Sequence, residues 1–181
     1  MPNWCSNSFS ITGNTESIKD LWEAAQTADK GEFGLLNAIM PMPKELEGTT
    51  APSEDGEDWY NWRVNNWGTK WDVSDEGLEF IDNGDGTASI QGWFDSAWAP
   101  PIGAYEQLAA DFDSCVIEAS YFEPGMDFAG FWSSEAGEEH LDNLHDEWEK
   151  GDDASDLYKQ LDEEYDLSTQ FADWAEDFVD E

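Results

Sequence analysis

Carboxylates are by far the most abundant side chains in this chain that could do chemistry. Its 181 residues hold 43 Asp and Glu against seven Lys and Arg, a net charge of −36. Two carboxylates can act as general acid and base, but among so many no particular pair stands out. The sequence contains no G-x-S-x-G, phosphate loop, G-x-G-x-x-G or H-E-x-x-H motif. We therefore expect neither enzymatic activity nor a cofactor.

The residue types that most often bind metal ions are scarce or wrongly spaced. His140 and His145 are five residues apart, whereas helical zinc pairs are four apart, so both are expected to be solvated helix residues. The stretch "DNGDGT" at 82–87 resembles part of a calcium loop but lacks the downstream Glu. Cys5 and Cys115 are too few for a Cys-rich site or a disulfide framework. We expect no metal site.

The stretch "WRVNNWGTKWD", residues 62–72, places two of the seven basic residues among three tryptophans. Exposed tryptophans beside Arg63 and Lys70 could stack on nucleic-acid bases, but two cations are few against −36. A structural role is the alternative that we favour. In it both cations lie over Trp rings or neutralise inward-facing carboxylates such as Asp72 or Asp95. Gly68 would join a helical "WRVNNW" to a strand "TKWDV".

The negative charge increases along the chain. Residues 1–70 have a net charge of −6, residues 71–137 carry −14 with no basic residue, and residues 138–181 carry −16. Such a surface repels nucleic acids and anionic membranes and attracts basic protein surfaces. High solubility or adaptation to salt would also explain the acidity. No apolar run reaches the ~20 residues of a membrane helix, and the N-terminus does not resemble a signal peptide. We expect a soluble protein of the host-cell cytoplasm.

The elements that must position these side chains follow from periodicity. An alternating strand at 7–13 precedes an amphipathic helix capped by Asn14 or Thr15. A helix introduced by paired prolines follows a hairpin with an "NGDG" turn. The remaining predicted elements are hairpin strands 77–82 and 87–94, helix 102–112, strand 115–122 and a further strand at 126–132. This β-α-β-β-α-β order predicts a ferredoxin-like α+β domain over 1–135, with an antiparallel sheet and two helices on one face.

The tail, residues 136–181, has a different character. It reads as an acidic helical segment in which the stretches 138–149, 154–165 and 168–179 each place apolar residues at helical spacing. We expect three short helices, each with an apolar stripe and an acidic outer side.

Three pieces of the chain resemble a known family. They are "MPNWCSN…ITG", "WRVNNWGTKWD", and "FDSAWAPP" followed by "YFEPGMDFAG". Together they resemble the YubB-type family of phage and plasmid proteins, over roughly residues 1–135. The resemblance implies a ferredoxin-like domain and an origin in a mobile element, and it supplies no catalytic residues.

The acidic tail supplies the functional prediction. Acids at helical spacing sit about 5–6 Å apart, close to the spacing of successive phosphates. We expect a DNA mimic that binds a basic nucleic-acid-binding host protein, such as a restriction, CRISPR, repair or other nuclease, and contacts neither nucleic acid nor membrane. The candidate binding residues are Asp156, Asp162, Glu163, Asp173, Glu176, Asp177 and Asp180. The alternatives are a non-inhibitory accessory phage protein with a solvated acidic surface, or a small enzyme.

Overall fold

The computed structural model describes residues 3–54, 56–112 and 114–177. Among them the strands are β1 (Trp4–Asn14), β2 (Leu78–Asp82), β3 (Thr87–Ala97), β4 (Val116–Glu123), β5 (Phe128–Ser133) and β6 (Gly137–Asp142). The α-helices are α1 (Thr15–Ala25), α2 (Leu35–Ile39), α3 (Trp59–Asn66), α4 (Ile102–Asp111), α5 (Leu144–Glu149), α6 (Asp156–Tyr165) and α7 (Leu167–Asp177). All strands form one antiparallel sheet in the order β2-β3-β1-β4-β5-β6.

The two faces of the sheet follow from side-chain alternation along its central strand. In β1, Phe9 and Ile11 are buried while Ser8 and Ser10 point to the other side. We call the Phe9 side the inner face and the Ser8 side the outer face. Tyr105 of α4 stacks on Phe9 with ring centroids 5.5 Å apart. The inner face therefore carries the main hydrophobic core.

The first four strands and two of the helices have the predicted ferredoxin-like arrangement. α1 and α4 both pack on the inner face, and their buried residues belong to one cluster with β1 and β3. Asn14 caps α1, because its side chain accepts the backbone N–H of Glu16 at 3.0 Å. The hairpin joins β2 to β3 with Asp82 opposite Ala88. The predicted fold class is confirmed.

The tail helices cover part of the outer face and form a second core. Phe122 of β4 pairs with Ala129 of β5, which in turn pairs with Leu141 of β6. The apolar sides of α5, α6 and α7 pack on this strip, with Leu161 and Phe171 fully buried. A helix forms within each of the three predicted stretches, and the outer face over β2, β3 and β1 stays open at Trp93, which is 60% exposed.

Two predicted elements are wrong. Residues 137–142 form the edge strand β6 rather than the start of a helix, and they extend the sheet beyond the predicted boundary at 135. Leu141, Leu144 and Trp148 do have helical spacing, but Asn143 adopts φ 58° and separates strand from helix. The stretch "TKWDV" contains no strand, and the side chains of Thr69 and Asp72 in it bond to Ala97 and Leu36 instead. The further strand predicted at 126–132 is confirmed as β5.

Within the described ranges, none of the helices is both long and apolar enough to cross a membrane.

Candidate functional site

The predicted binding acids do not all have the same environment. Asp156 and Glu163 are exposed and two helical turns apart on α6, so they lie on one side of it, about 10.5 Å apart along its axis. Asp173 is also exposed, on α7. Glu176 and Asp177 lie within α7, and Asp180 lies outside the described residues.

Asp162 has a structural role instead. Its carboxylate accepts the backbone N–H of Ser168 at 2.6 Å and the Ser168 hydroxyl at 2.7 Å. These bonds tie the end of α6 to the first turn of α7, where backbone N–H groups lack helical partners. A carboxylate so engaged is a poor contact for a partner protein, which removes Asp162 from the predicted binding set.

The remaining acids of β6, α5, α6, α7 and their connections form what we call the acidic tail surface. Its exposed members are Glu138, Glu139, Asp142, Asp146, Glu149, Asp152, Asp153, Asp156, Glu163, Glu164, Asp166 and Asp173. Among the described residues, Lys19–Glu23 and Lys150–Glu147 are the Lys or Arg ion pairs with carboxylates. Neither pair involves one of these exposed members, since Glu147 is half-buried.

The tryptophan stretch has the structural role that we favoured. The guanidinium carbon of Arg63 lies 4.7 Å from the ring centroid of Trp67 and 5.6 Å from that of Trp59. Lys70 Nζ lies 4.5 Å from the centroid of Trp71. Both cations are therefore cation–π partners, as predicted, and each such contact stabilises by about 0.5–2 kcal/mol.

Gly68 is the joint that the sequence indicated, although it connects α3 to different neighbours. Its φ is 94°, and an added Cβ would lie 2.9 Å from the carbonyl oxygen of Pro100. The next residue, Thr69, donates its hydroxyl proton to the carbonyl of Ala97 at 2.9 Å. Trp67 is fully buried and donates its indole N–H to the carbonyl of Met40 at 2.9 Å. The joint thus presses the end of α3 against the start of α4 and the end of β3.

The other alternative for these cations, neutralisation of Asp72, does not occur, since neither Arg63 nor Lys70 forms an ion pair with it. Its carboxylate accepts the backbone N–H groups of Leu36 and Asn37 at 2.8 and 2.9 Å, at the start of α2. Burial and, to a smaller extent, the nearby Asp29 charge raise the pKa of this carboxyl to about 6 despite those bonds. Helix N-terminal N–H groups stabilise a carboxylate as a cation would.

Beside this stretch lies a cleft of about 270 Å³ that the sequence did not indicate. We call it the tryptophan cleft. Trp4, Trp71 and Trp93 form its aromatic walls, and Asp72, Glu76 and Asp95 also line it. Trp4 and Trp71 have ring centroids 5.9 Å apart. A tryptophan on the outward side of a strand is the sequence signal that was available, since Trp93 alternates with buried Phe94.

The expectation that both histidines are solvated helix residues is confirmed for His145, which is exposed on α5, and wrong for His140, which lies on a strand. His140 lies on β6, where its Nδ1 is 2.9 Å from the Tyr121 hydroxyl and its Nε2 is 3.1 Å from Asp142. Tyr121 also donates to Glu138 at 2.6 Å, and burial raises its pKa. His145 lies on α5, with its ring centroid 4.3 Å from that of Phe171. Within the described residues no group of three or more His, Cys, Asp and Glu is placed to hold a metal ion.

Comparison with known families shows to which family the chain belongs. The model of the family described as "Ferredoxin-like domain in Api92-like protein" matches residues 66–172. The chain belongs to this family. The match runs from the end of α3 into α7, so the Api92-like domain includes the tryptophan cleft's segment 71–77 and most of the acidic tail surface.

One solved structure related to the Api92-like family is similar to this chain. It is a crystal structure of the protein api92 from Yersinia pseudotuberculosis, with 18% sequence identity and a TM-score of 0.42. The similarity covers 59% of this chain and 39% of that one, so this chain corresponds to less than half of its length. No curated protein matches the chain.

Proposed function

We propose that this protein binds a basic nucleic-acid-binding protein by presenting carboxylates in place of DNA phosphates. The observation that carries the proposal is the acidic tail surface, whose exposed carboxylates have no Lys or Arg partner among the described residues. A surface whose charge is balanced internally would attract a basic partner only weakly. The acidic tail surface keeps its negative charge available for a basic partner.

The amount of charge suits a short segment of duplex. Residues 138–181 carry a net charge of −16. Because DNA has one charge per ~1.7 Å of axis, this equals about eight to nine base pairs. A protein that binds a DNA site typically contacts about 6–10 phosphates, so part of this charge would be enough to occupy such a groove.

The charges are also held on a packed frame. α6 and α7 bury Leu161 and Phe171 against β4 and β5, and Asp162 links the two helices. A partner that binds fixed charges loses less conformational entropy on association than one that binds a flexible acidic chain. Rigid presentation therefore favours recognition over mere solubility.

The resemblance to phage and plasmid proteins indicates the kind of partner. A mobile element gains from blocking a host protein that acts on its DNA, such as a restriction enzyme, a CRISPR effector, a repair protein or another nuclease. The proposed role is stoichiometric inhibition in the host cytoplasm, without a reaction, cofactor or metal ion.

A pair of charge reversals on α6 tests the proposal. In Asp156→Lys/Glu163→Lys two exposed acids seven residues apart become cationic, which changes the net charge by four units. Glu16→Lys/Glu23→Lys on α1 is the matched control, since it alters two exposed acids at the same spacing and changes the charge equally. The control site lies on the inner-face helix, on the other side of the sheet.

Each protein is immobilised and used to capture proteins from host lysate at low salt, with elution by rising salt. We expect the wild type and the α1 variant to capture the same nucleic-acid-binding protein. The α6 variant should bind it at least about tenfold more weakly, since close interfacial charge pairs couple by about 1.5–7 kcal/mol. The captured protein should also lose DNA binding when the wild type is added. Equal capture by both variants would contradict the proposal, and absence of any salt-eluted partner would favour the accessory role.

A further inference from the structure

The tryptophan cleft lies where the outer face of the sheet meets the segment 71–77. Trp93 and Asp95 both point outward from β3, and Trp4 lies opposite Ala97 at the start of β1. The segment passes beside β3 just before β2 begins, and Trp93 N–H donates to the carbonyl of Gly77 at 3.0 Å. The cleft is therefore lined by three separate parts of the chain, namely β1, the segment 71–77 and β3.

The walls are fixed in place although two of the rings are exposed. Trp93 is 60% exposed and Trp4 is 47% exposed. An added Cβ at Gly77 would lie 2.6 Å from the Trp93 ring, so that ring packs directly on the glycine backbone. Thr69 and Asp72 anchor the segment that carries Trp71. Exposed aromatic surface held in a concave arrangement is typical of a binding site.

The charge of the cleft selects the ligand. Among the residues that the structure describes, the cleft is lined by the ionisable residues Asp72, Glu76 and Asp95 and by no Lys or Arg. An anion would be repelled by these carboxylates and by the net charge of −36. A neutral apolar ligand would remove the carboxylates from water without replacing their lost hydration by hydrogen bonds or an opposite charge. A cation with a flat apolar face could stack on the rings and also pair with the carboxylates.

Trp71 already shows this chemistry within the chain. Lys70 Nζ lies 4.5 Å from its ring centroid, and Lys70 is not among the residues that line the cleft. Of the natural cationic side chains, the guanidinium group stacks on Trp through its plane and donates to carboxylates from its edge. An ammonium group is more strongly hydrated and presents no such plane.

We propose that the tryptophan cleft binds an arginine side chain of a partner polypeptide. The guanidinium stacks on the ring of Trp93 or of Trp4, the two exposed tryptophans of the cleft, and its edge donates to Glu76 and Asp95. None of these four residues belongs to the acidic tail surface, so the cleft and the proposed function can succeed or fail separately.

Titration with short peptides tests this assignment on the full chain. The probes are acetylated, amidated Gly-Arg-Gly, its Lys counterpart and its citrulline counterpart, which keeps the shape of arginine without the charge. Indole N–H signals in ¹H–¹⁵N NMR spectra report binding at each tryptophan, and a pH of about 7.5 keeps Asp72 ionised. For a single side chain we expect a dissociation constant of roughly 1 mM, weakening between about 50 and about 300 mM salt.

The Arg peptide should shift the signals of Trp4, Trp71 and Trp93, and the citrulline peptide should leave them unchanged. Trp93→Ala should weaken binding about two- to thirtyfold, as expected for loss of one cation–π partner. Trp98→Ala is the matched control, because Trp98 is 45% exposed but does not line the cleft. It should bind the Arg peptide like the wild type. Glu76→Gln, at an exposed position, is a second variant that should weaken binding even if Trp93→Ala does not fold.

Three results would overturn the proposal. The first is equal binding of the citrulline peptide, which would make the charge irrelevant. The second is binding of the Lys peptide as tight as that of the Arg peptide, which would exclude stacking of a guanidinium plane. The third is a shift of the Trp98 signal equal to those of the cleft tryptophans, or no shift at any tryptophan at millimolar probe.

Discussion

The substitution Gly68→Ala measures how tightly the joint after α3 is packed. Gly68 has φ 94°, and Gly31 has nearly the same value, 93°. An added Cβ at Gly68 would lie 2.9 Å from the Pro100 carbonyl oxygen and 3.3 Å from the Ile102 nitrogen, whereas at Gly31 it would have no neighbour within 4 Å. Gly31→Ala is therefore a control with the same backbone strain and no steric contact.

The expected energies follow from these distances. The left-handed conformation destabilises an alanine by about 1–2 kcal/mol relative to glycine. Replacing glycine also lowers the conformational entropy of the unfolded chain, which stabilises the folded state by about 0.4–1 kcal/mol. Gly31→Ala should thus destabilise the protein by about 1 kcal/mol. Gly68→Ala adds the penalty of overpacking, about 1–3 kcal/mol, because the opposing atoms are backbone and cannot rotate away. The total at Gly68 should be about 2–4 kcal/mol.

Urea unfolding followed by tryptophan fluorescence and far-UV circular dichroism gives both values. With an m-value of about 2 kcal/mol/M, the midpoint of Gly68→Ala should lie about 0.5–1.5 M below that of Gly31→Ala. Unchanged m-values would show that the substitutions change stability without changing the surface exposed on unfolding. If the two midpoints agree within about 0.2 M, the close approach of α3 to Pro100 does not contribute to stability and the account of the joint is refuted.

Two further predictions concern ionisable groups. The pKa of Asp72 is raised from 3.8 to about 6, so the folded state holds this proton more tightly than the unfolded chain. The free energy of unfolding should therefore fall as pH rises from about 4 to about 6, by up to about 3 kcal/mol more in the wild type than in Asp72→Asn. Urea unfolding at each pH measures both proteins. Equal dependence on pH in the two proteins would contradict the assignment. Burial raises the pKa of the Cys5 thiol to about 12, so native protein at about pH 8 should resist iodoacetamide until urea unfolds it. Mass spectrometry would count the labelled thiols, and rapid labelling of Cys5 without urea would show it to be accessible.

Local patterns were sufficient for most of the fold. Alternation at Phe9 and Ile11 identified β1, Asn14 identified the start of α1, and the "NGDG" turn identified the β2–β3 hairpin. These signals lie within a few residues of the elements they define, so no distant contact is needed to read them. The edge strand β6 was missed for the opposite reason. Its burial is low throughout, and pairing with β5 rather than any pattern of its own makes it a strand.

The candidate sites show the same division. The charge gradient and the cation–π role of Arg63 and Lys70 were readable from composition and spacing. The hydrogen bond between Asp162 and Ser168 could not be predicted, because a helical pattern does not reveal which acid faces the next helix. The tryptophan cleft could not be predicted from the sequence either, since Trp4, Trp71 and Trp93 are far apart in the chain.

The sequence by itself thus determined the ferredoxin-like order of elements, the acidic character of the surface and the existence of three tail helices, because each depends on residue type and local period. Only the tertiary structure decided which acids stay free and which tryptophans meet around one cleft. Those outcomes depend on strand register and on packing between segments that are distant in sequence, and no local pattern encodes them.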